Sequence, residues 1–351
     1  MTHLWVRAEQ RQNEERVGIT PEGAKALIDN GIRVTVEESS VRAIPIDGYR
    51  EAGCEIAQEN SWPQAPLDAI IFGLKELPED GSALPHRHIM FGHAFKGQHS
   101  GVALLKRFKA GGGTLYDLEY LVDETGRRVA AFGYWAGYAG AAVTLKTWIA
   151  QKKGGICGPV GVYGSKDDLL DDLGTDLDTL TDDLPEAIVI GALGRVGTGA
   201  ADLLETLGVM VTKWDIAETS SGGPFPEILQ HDIFMNCILA RPGTPVFVPA
   251  EAKAAERNLT AIGDVACDPD SDYNPVPVYN EATKWEAPAL RVHDAPVLDV
   301  MAIDNLPSML PVESSQDYAE QLLPTLMTLG DLANGVWTRA EADFNEHSKD
   351  L

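Results

Sequence analysis

Residues 187–215 read AIVIGALGRVGTGAADLLETLGVMVTKWD. The apolar run Ala187–Ile190 has the length and composition of a buried strand. Gly191, Gly194, Gly197 and Gly199 follow it, and a second apolar segment, 200–207, recurs at helical spacing and stops at Gly208. Val209–Trp214 then reads as the next strand, with Asp215 at its end. In such a strand–turn–helix–strand unit, glycines allow tight backbone angles and let a pyrophosphate approach the helix N-terminus. A carboxylate after the second strand accepts hydrogen bonds from ribose hydroxyls. The spacing G-x-x-G-x-x-G-x-G is looser than G-x-G-x-x-G. The two flanking strands and Asp215 therefore decide the reading: a dinucleotide-binding unit.

Outward from this unit, strands and helices alternate. Leu4–Ala8, Ile32–Glu37, Asp68–Lys75, His88–Phe95 and Thr114–Leu121 read as strands. Thr20-Pro21 is a helix start, with Thr as cap and Pro at the first position. The helix 22–29 ends at Asn30-Gly31, and 102–110 is a helix stopped by three glycines. Gly133–Ala150, rich in small and aromatic residues, reads as a closely packed helix. Later strands are expected at 232–238, 259–265 and 297–303, and tail helices at 315–329 and 337–347. At 351 residues the chain exceeds the size at which one core stops growing, about 250–300 residues. The expected fold is α/β, with two Rossmann-like domains, parallel sheets flanked by helices, and an active site in the interdomain cleft. A discontinuous first domain, 1–132 plus 308–351, would carry the substrate side, and 133–307 would bind the dinucleotide.

A net charge of −25 argues against nucleic acid or an anionic membrane as partner, so an anionic substrate needs a locally basic pocket. Cys54, Cys157, Cys237 and Cys267 share no C-x-x-C spacing, which fits unpaired thiols in a reducing compartment. No signal peptide or bilayer-spanning run is expected, and the tail from Ser348 reads as a frayed end. The aspartates between 167 and 183 lack the order of a calcium loop. With Leu169, Leu173, Leu177 and Leu180 at helical spacing, they read as the solvated face of an amphipathic helix.

Lys75 closes an apolar strand, where ligands of α/β sheets bind. It is either an exposed strand-end lysine or a partly buried base. His86 and His88 read as parts of a polar turn. His93 follows the apolar run 89–91 and is the better proton-transfer candidate. No spacing supports a metal site. Arg127-Arg128 is either a solvated turn or a carboxylate grip. Arg7, Arg11 and Arg16, interleaved with Glu9, Glu14 and Glu15, are surface ion pairs or a second carboxylate clamp.

Taken together, several segments resemble the NAD-dependent, lysine-forming saccharopine dehydrogenases. They are Arg7-Ala-Glu9, Glu15-Arg16, Ile19-Thr-Pro21, Gly73-Leu-Lys-Glu76, Phe91-Gly-His93-Ala-Phe-Lys96-Gly-Gln98 and Thr114-Leu-Tyr-Asp-Leu-Glu119. The likeness continues through Gly126-Arg-Arg-Val-Ala-Ala-Phe-Gly133, Ile190-Gly-Ala-Leu-Gly-Arg195, Lys213-Trp-Asp-Ile216, Gly222-Gly-Pro-Phe225, Ile303-Asp304 and Leu306-Pro-Ser308. The part from Arg7 to Pro21 is shared more loosely with alanine dehydrogenase and nicotinamide transhydrogenase.

The resemblance implies that Lys75 is the base towards the secondary amine of saccharopine and that His93 serves the later proton transfers. It implies substrate contacts from Arg16, Gln98, Arg128, Phe132 and the segment Ala266-Cys267-Asp268. It implies NAD contacts from Arg127, Gly194, Arg195, Asp215 and Thr219. Leu239 stands at a cofactor-side position, and Val265 with Ile303, Asp304, Asn305 and Leu306 borders the nicotinamide. Glu76 and Glu119 would tune the Lys75 and His93 pKa values. Val196 stands where fungal members carry a cysteine able to pair with the counterpart of Cys237, so that disulfide is not expected. The implied activity is NAD-dependent, reversible conversion of saccharopine to lysine and 2-oxoglutarate by a cytoplasmic monomer. The alternatives are an alanine-dehydrogenase-like amino-acid dehydrogenase and a non-catalytic NAD sensor.

Overall fold

The computed structural model describes residues 1–11, 13–95, 99–181 and 184–351. The chain divides into two compact units, Met1–Ala131 with Pro311–Leu351, and Phe132–Leu310.

The first unit is built on strands β1 (His3–Val6), β2 (Arg33–Glu37), β3 (Glu55–Ala57), β4 (Ile70–Phe72), β5 (Arg87–Met90) and β6 (Thr114–Asp117). They form one sheet in the order β3-β2-β1-β4-β5-β6, parallel at every pairing. The order reverses between β1 and β4, and the loops leaving those two strands diverge there. Helices α1 (Pro21–Asp29), α2 (Ile46–Glu51) and α3 (His99–Gly111), with the C-terminal helices Pro311–Leu326 and Gly335–Ser348, complete the unit. Thr20 caps α1 by accepting the Gly23 N–H at 3.2 Å, as Thr-Pro predicts.

The polar turn expected at His86 and His88 is not formed. Both residues are 1% exposed. His88 lies in β5 with its ring edge-on to Trp62 and Phe108, centroids 5.2 and 5.3 Å away. A parallel sheet is covered on both faces, so both alternating sets of side chains are buried, polar or not. The strand expected through Phe95 stops at Met90, and His93 is in the loop beyond it.

The second unit contains β7 (Glu186–Ile190), β8 (Met210–Trp214), β9 (Ile233–Asn236), β10 (Ala261–Asp264), β11 (Leu290–Asp294) and β12 (Val297–Met301), in the order β11-β12-β10-β9-β7-β8. All pairings are parallel except β11 with β12. The expected α/β architecture is present. The small residues of α4 (Gly133–Lys152) explain how closely it packs. A Cβ on Gly137 would lie 1.8 Å from the Val196 carbonyl oxygen, and one on Gly199 would lie 1.9 Å from that of Tyr134. Hydrogen atoms at these positions let two helix backbones touch.

The acidic stretch forms helix α5 (Lys166–Asp178), with Leu169 and Leu173 fully buried. Lys146 meets Asp172 at 2.6 Å and Lys153 meets Asp176 at 2.8 Å, so part of the acidic face is neutralised by α4 and its end. Asp182 and Asp183 lie outside the described residues. Helix α6 (Arg195–Thr206) follows the glycine turn.

Candidate active site

Physical chemistry first builds a rigid corner at the β1–β4 switch point of the first unit. Arg7 leaves β1 and is 2% exposed. Its guanidinium donates to the Glu9 carboxylate at 3.3 Å and to the Lys75 carbonyl oxygen. Glu9 in turn accepts the backbone N–H groups of Leu74 at 2.6 Å and Lys75 at 3.0 Å. Gly73 leaves space for the Arg7 guanidinium, since a Cβ would lie 2.4 Å from Arg7 Nε and displace it. The sequence Gly73-Leu-Lys75 is thus clamped by Arg7-Ala-Glu9 on its neighbour strand. Lys75 is 9% exposed, which rules out the exposed strand-end alternative.

A second ion pair lies beyond Glu9. Arg16 is 3% exposed and donates from Nε and Nη2 to the two oxygens of Glu14, at 2.7 and 2.6 Å. Burial works to raise the Glu14 pKa, but the charge and hydrogen bonds of Arg16, with the charge of Lys75, hold it below the ordinary glutamate range. Lys75, Glu14 and Arg16 therefore share one electrostatic neighbourhood. Arg7 and Arg16 are buried rather than surface ion pairs. Arg11 is the partly exposed one, 3.4 Å from Glu76.

His93 stands after β5 with φ of 48°, a left-handed conformation that side chains rarely adopt. Its ring stacks on Phe91, centroids 6.2 Å apart. Nδ1 lies 3.8 Å from a Glu119 carboxylate oxygen, and the histidine side chain is 48% exposed. A half-exposed imidazole facing a carboxylate is equipped to pass protons to and from a ligand. Arg128 is on the exposed turn that bridges back to Val122. Burial raises the pKa of the Tyr318 phenol against the charges of Arg128 and Arg16, which both act on this buried tyrosine. Gln98 lies outside the described residues. Phe132 precedes α4 and belongs to the second unit. Arg127 sits in the same exposed turn as Arg128, its N–H bound to Asp123.

In the second unit, Gly191 has φ of 89°, and a Cβ on Gly197 would lie 2.1 Å from the Gly191 carbonyl oxygen. Gly194 caps α6 in an extended conformation. The first N–H groups of a helix lack intrahelical acceptors and attract an anion. Asp215 accepts the Leu193 N–H at 3.0 Å and the Ile216 N–H at 2.9 Å, which ties the glycine turn to the end of β8. Thr219 donates to the Asp215 carbonyl oxygen at 2.9 Å.

Leu193, Ile216 and Leu239 are 83%, 79% and 67% exposed. Large apolar side chains at the carboxyl ends of three strands suit the faces of a planar base. The turn, the capping acid and these apolar residues fit a dinucleotide. Val265 is half-buried after β10. Ile303 and Leu306 pack in the core with Ala139 and Val143, while Asp304 is exposed and Asn305 is left-handed at φ of 66°. Ala266 and Cys267 are half-buried and Asp268 exposed. The Cys267 thiol is pushed up to about 12 by burial and by the charges of Asp304, Asp264 and Asp268. All four cysteines are free.

Two acids escaped the sequence reading. Asp117 closes β6 and Asp264 closes β10. Asp264 accepts from Tyr279 at 2.8 Å and Asn236 at 3.0 Å, and burial raises its pKa. The signal was available: an acid ending an apolar strand, as Asp215 does.

Residues 5–139 match the family model for the alanine dehydrogenase/PNT N-terminal domain. The chain is 43% identical over 358 residues to saccharopine dehydrogenase [NAD(+), L-lysine-forming] of Schizosaccharomyces pombe, covering 97% of this chain and 96% of that protein. The same enzyme of Candida glabrata is 44% identical over 98% of this chain and 96% of its own length. Among solved structures, an L-alanine dehydrogenase superposes with a TM-score of 0.69 at 18% identity, covering 98% of this chain and 93% of the other. A transhydrogenase from Sinorhizobium meliloti gives 0.64 at 17% identity, covering 94% and 95%. At these identities the two structures speak for the fold.

Proposed function

The chain belongs to the family of NAD-dependent, L-lysine-forming saccharopine dehydrogenases, and on that premise we propose how its residues divide the reaction. The activity is reversible oxidative cleavage of saccharopine to L-lysine and 2-oxoglutarate. When bound, NAD accepts the hydride from the carbon beside the secondary amine.

Lys75 takes the proton of that amine; in support, it is buried and its backbone is held by Glu9 and Arg7 at the switch point, where ligands of α/β sheets bind. His93 moves protons as water adds to the imine and as the carbinolamine collapses to lysine and 2-oxoglutarate. Glu119 faces His93 and orients its ring. Arg16 and Arg128 orient substrate carboxylates, with Gln98, Phe132 and the Ala266–Asp268 segment as further substrate contacts. The glycine turn with Gly194, Arg195, Asp215 and Thr219 holds NAD. Leu239, Val265 and residues 303–306 border it, and Arg127 contributes from the exposed turn. The protein's contribution is orientation and proton handling in a pocket whose cations offset a strongly acidic chain.

The match along nearly the full length to the fungal enzymes carries this reading. The decisive assay is NADH oxidation with lysine plus 2-oxoglutarate. Turnover with ammonia plus pyruvate instead would make the chain an alanine-dehydrogenase-like enzyme, and NADH binding without turnover on either pair would make it a sensor. We place the enzyme in the cytoplasm as a monomer. The four free thiols suit a reducing compartment. Among the described residues no helix is long and apolar enough to cross a membrane.

A further inference from the structure

We propose that Asp117 is a positioning residue of this reaction, fixing the backbone turn that presents His93 and the backbone that presents Glu119; the proposal rests on the role given to His93 above. Asp117 ends β6 and is fully buried. One carboxylate oxygen accepts the Gly92 N–H at 3.2 Å, immediately before His93. The other accepts the Glu119 N–H at 2.9 Å. One side chain therefore joins the loop after β5 to the loop after β6 by holding Gly92, the residue before His93, and Glu119, whose side chain meets that of His93 at 3.8 Å.

The surroundings explain why a carboxylate is needed. Gly92 is closely packed, since a Cβ would lie 2.7 Å from Leu115 Cδ2 and 3.2 Å from the Asp117 oxygen. His93 takes a left-handed conformation that costs free energy unless its neighbours hold it. An anionic acceptor makes stronger hydrogen bonds than a neutral one. An amide in its place would turn an NH₂ group towards one of the two N–H donors. The titratable groups that act on Asp117 or are acted on by it are His93 on the neighbouring loop, Glu119 on its own, and Tyr318 on the Pro311–Leu326 helix. Burial raises the Asp117 pKa to about 6, with the charge of His93 opposing and that of Glu119 assisting. Above that value Asp117 is the anionic acceptor of both N–H groups.

The test uses full-length Asp117→Asn, Gly92→Ala and His93→Gln, with kcat and KM measured and NADH affinity alongside. Asp117→Asn is expected to lower kcat about 10–100-fold, the scale of a small misplacement of a reacting group, with KM and NADH affinity retained, the split expected when a reacting group is misplaced but the substrates still bind. Gly92→Ala presses a methyl group on Leu115 Cδ2 and on the same Asp117 oxygen and should lower kcat with KM again retained. It carries the test alone if Asp117→Asn does not fold. Wild-type kcat in both variants, or an Asp117→Asn loss that merely follows the lost folded fraction, overturns the proposal. Near-normal kcat in His93→Gln would instead remove the reading of His93 on which the proposal rests.

Discussion

The Glu9 carboxylate accepts the backbone N–H of Lys75 at 3.0 Å, so the lysine is held by an acid on the neighbouring strand's loop. Glu9 also pairs with Arg7, and the two side chains are 8% and 0% exposed. Removing one partner of a buried pair strands the other. Glu9→Ala is expected to destabilise the protein by about 3–5 kcal/mol in urea unfolding and to lower kcat, while NADH affinity changes little. Wild-type stability would show that the clamp contributes nothing.

Gly197→Ala places a methyl group 2.1 Å from the Gly191 carbonyl oxygen. Backbone on both sides leaves no side chain to give way, so the turn must open. NADH titration should show affinity reduced about tenfold or more, equal to a loss of about 1.4 kcal/mol. Unchanged affinity would mean that the glycine turn is not where the pyrophosphate sits.

The role proposed for Asp215 is to bind the adenosine ribose hydroxyls, and the neighbouring Lys213 is engaged with Glu205 at 2.8 Å. The Asp215 carboxylate would repel a 2′-phosphate. kcat/KM with NADH should exceed that with NADPH by about 100-fold. Equal values would deny Asp215 its role.

His88 gives a pH prediction. Burial first, then the charges of Arg7, His86 and Arg107, hold its pKa well below the ordinary value. Neither ring nitrogen has a hydrogen-bond partner among the described residues. The unfolded chain binds a proton below about 6.5 and the folded chain does not. Stability is therefore present above that value and lost as pH falls through it. In His88→Phe this loss should disappear, so the Tm of the variant relative to wild type should be higher at pH 5.5 than at pH 8. The same difference at both pH values would contradict it.

Much of this was legible in the sequence because it is periodic or punctuated. The glycine turn, Thr20-Pro21 and the apolar strands mark themselves locally. What stayed hidden depends on partners remote in sequence. Glu9 and Glu14 look like surface charges until β4 and Arg16 enclose them. His86 and His88 look like a polar turn until helices cover both faces of the sheet. Asp117 shows its role only when Gly92 is brought beside it. The three-residue β3 and the antiparallel β11 are set by their sheet neighbours and give little periodic signal.

The most direct measurement is kcat for NADH oxidation with lysine and 2-oxoglutarate in Lys75→Met, with NADH affinity as the control for folding. Removing a general acid–base group should lower kcat about 10²–10⁴-fold and leave NADH affinity near that of wild type. A folded variant that binds NADH and keeps near-normal kcat would contradict the assignment of Lys75.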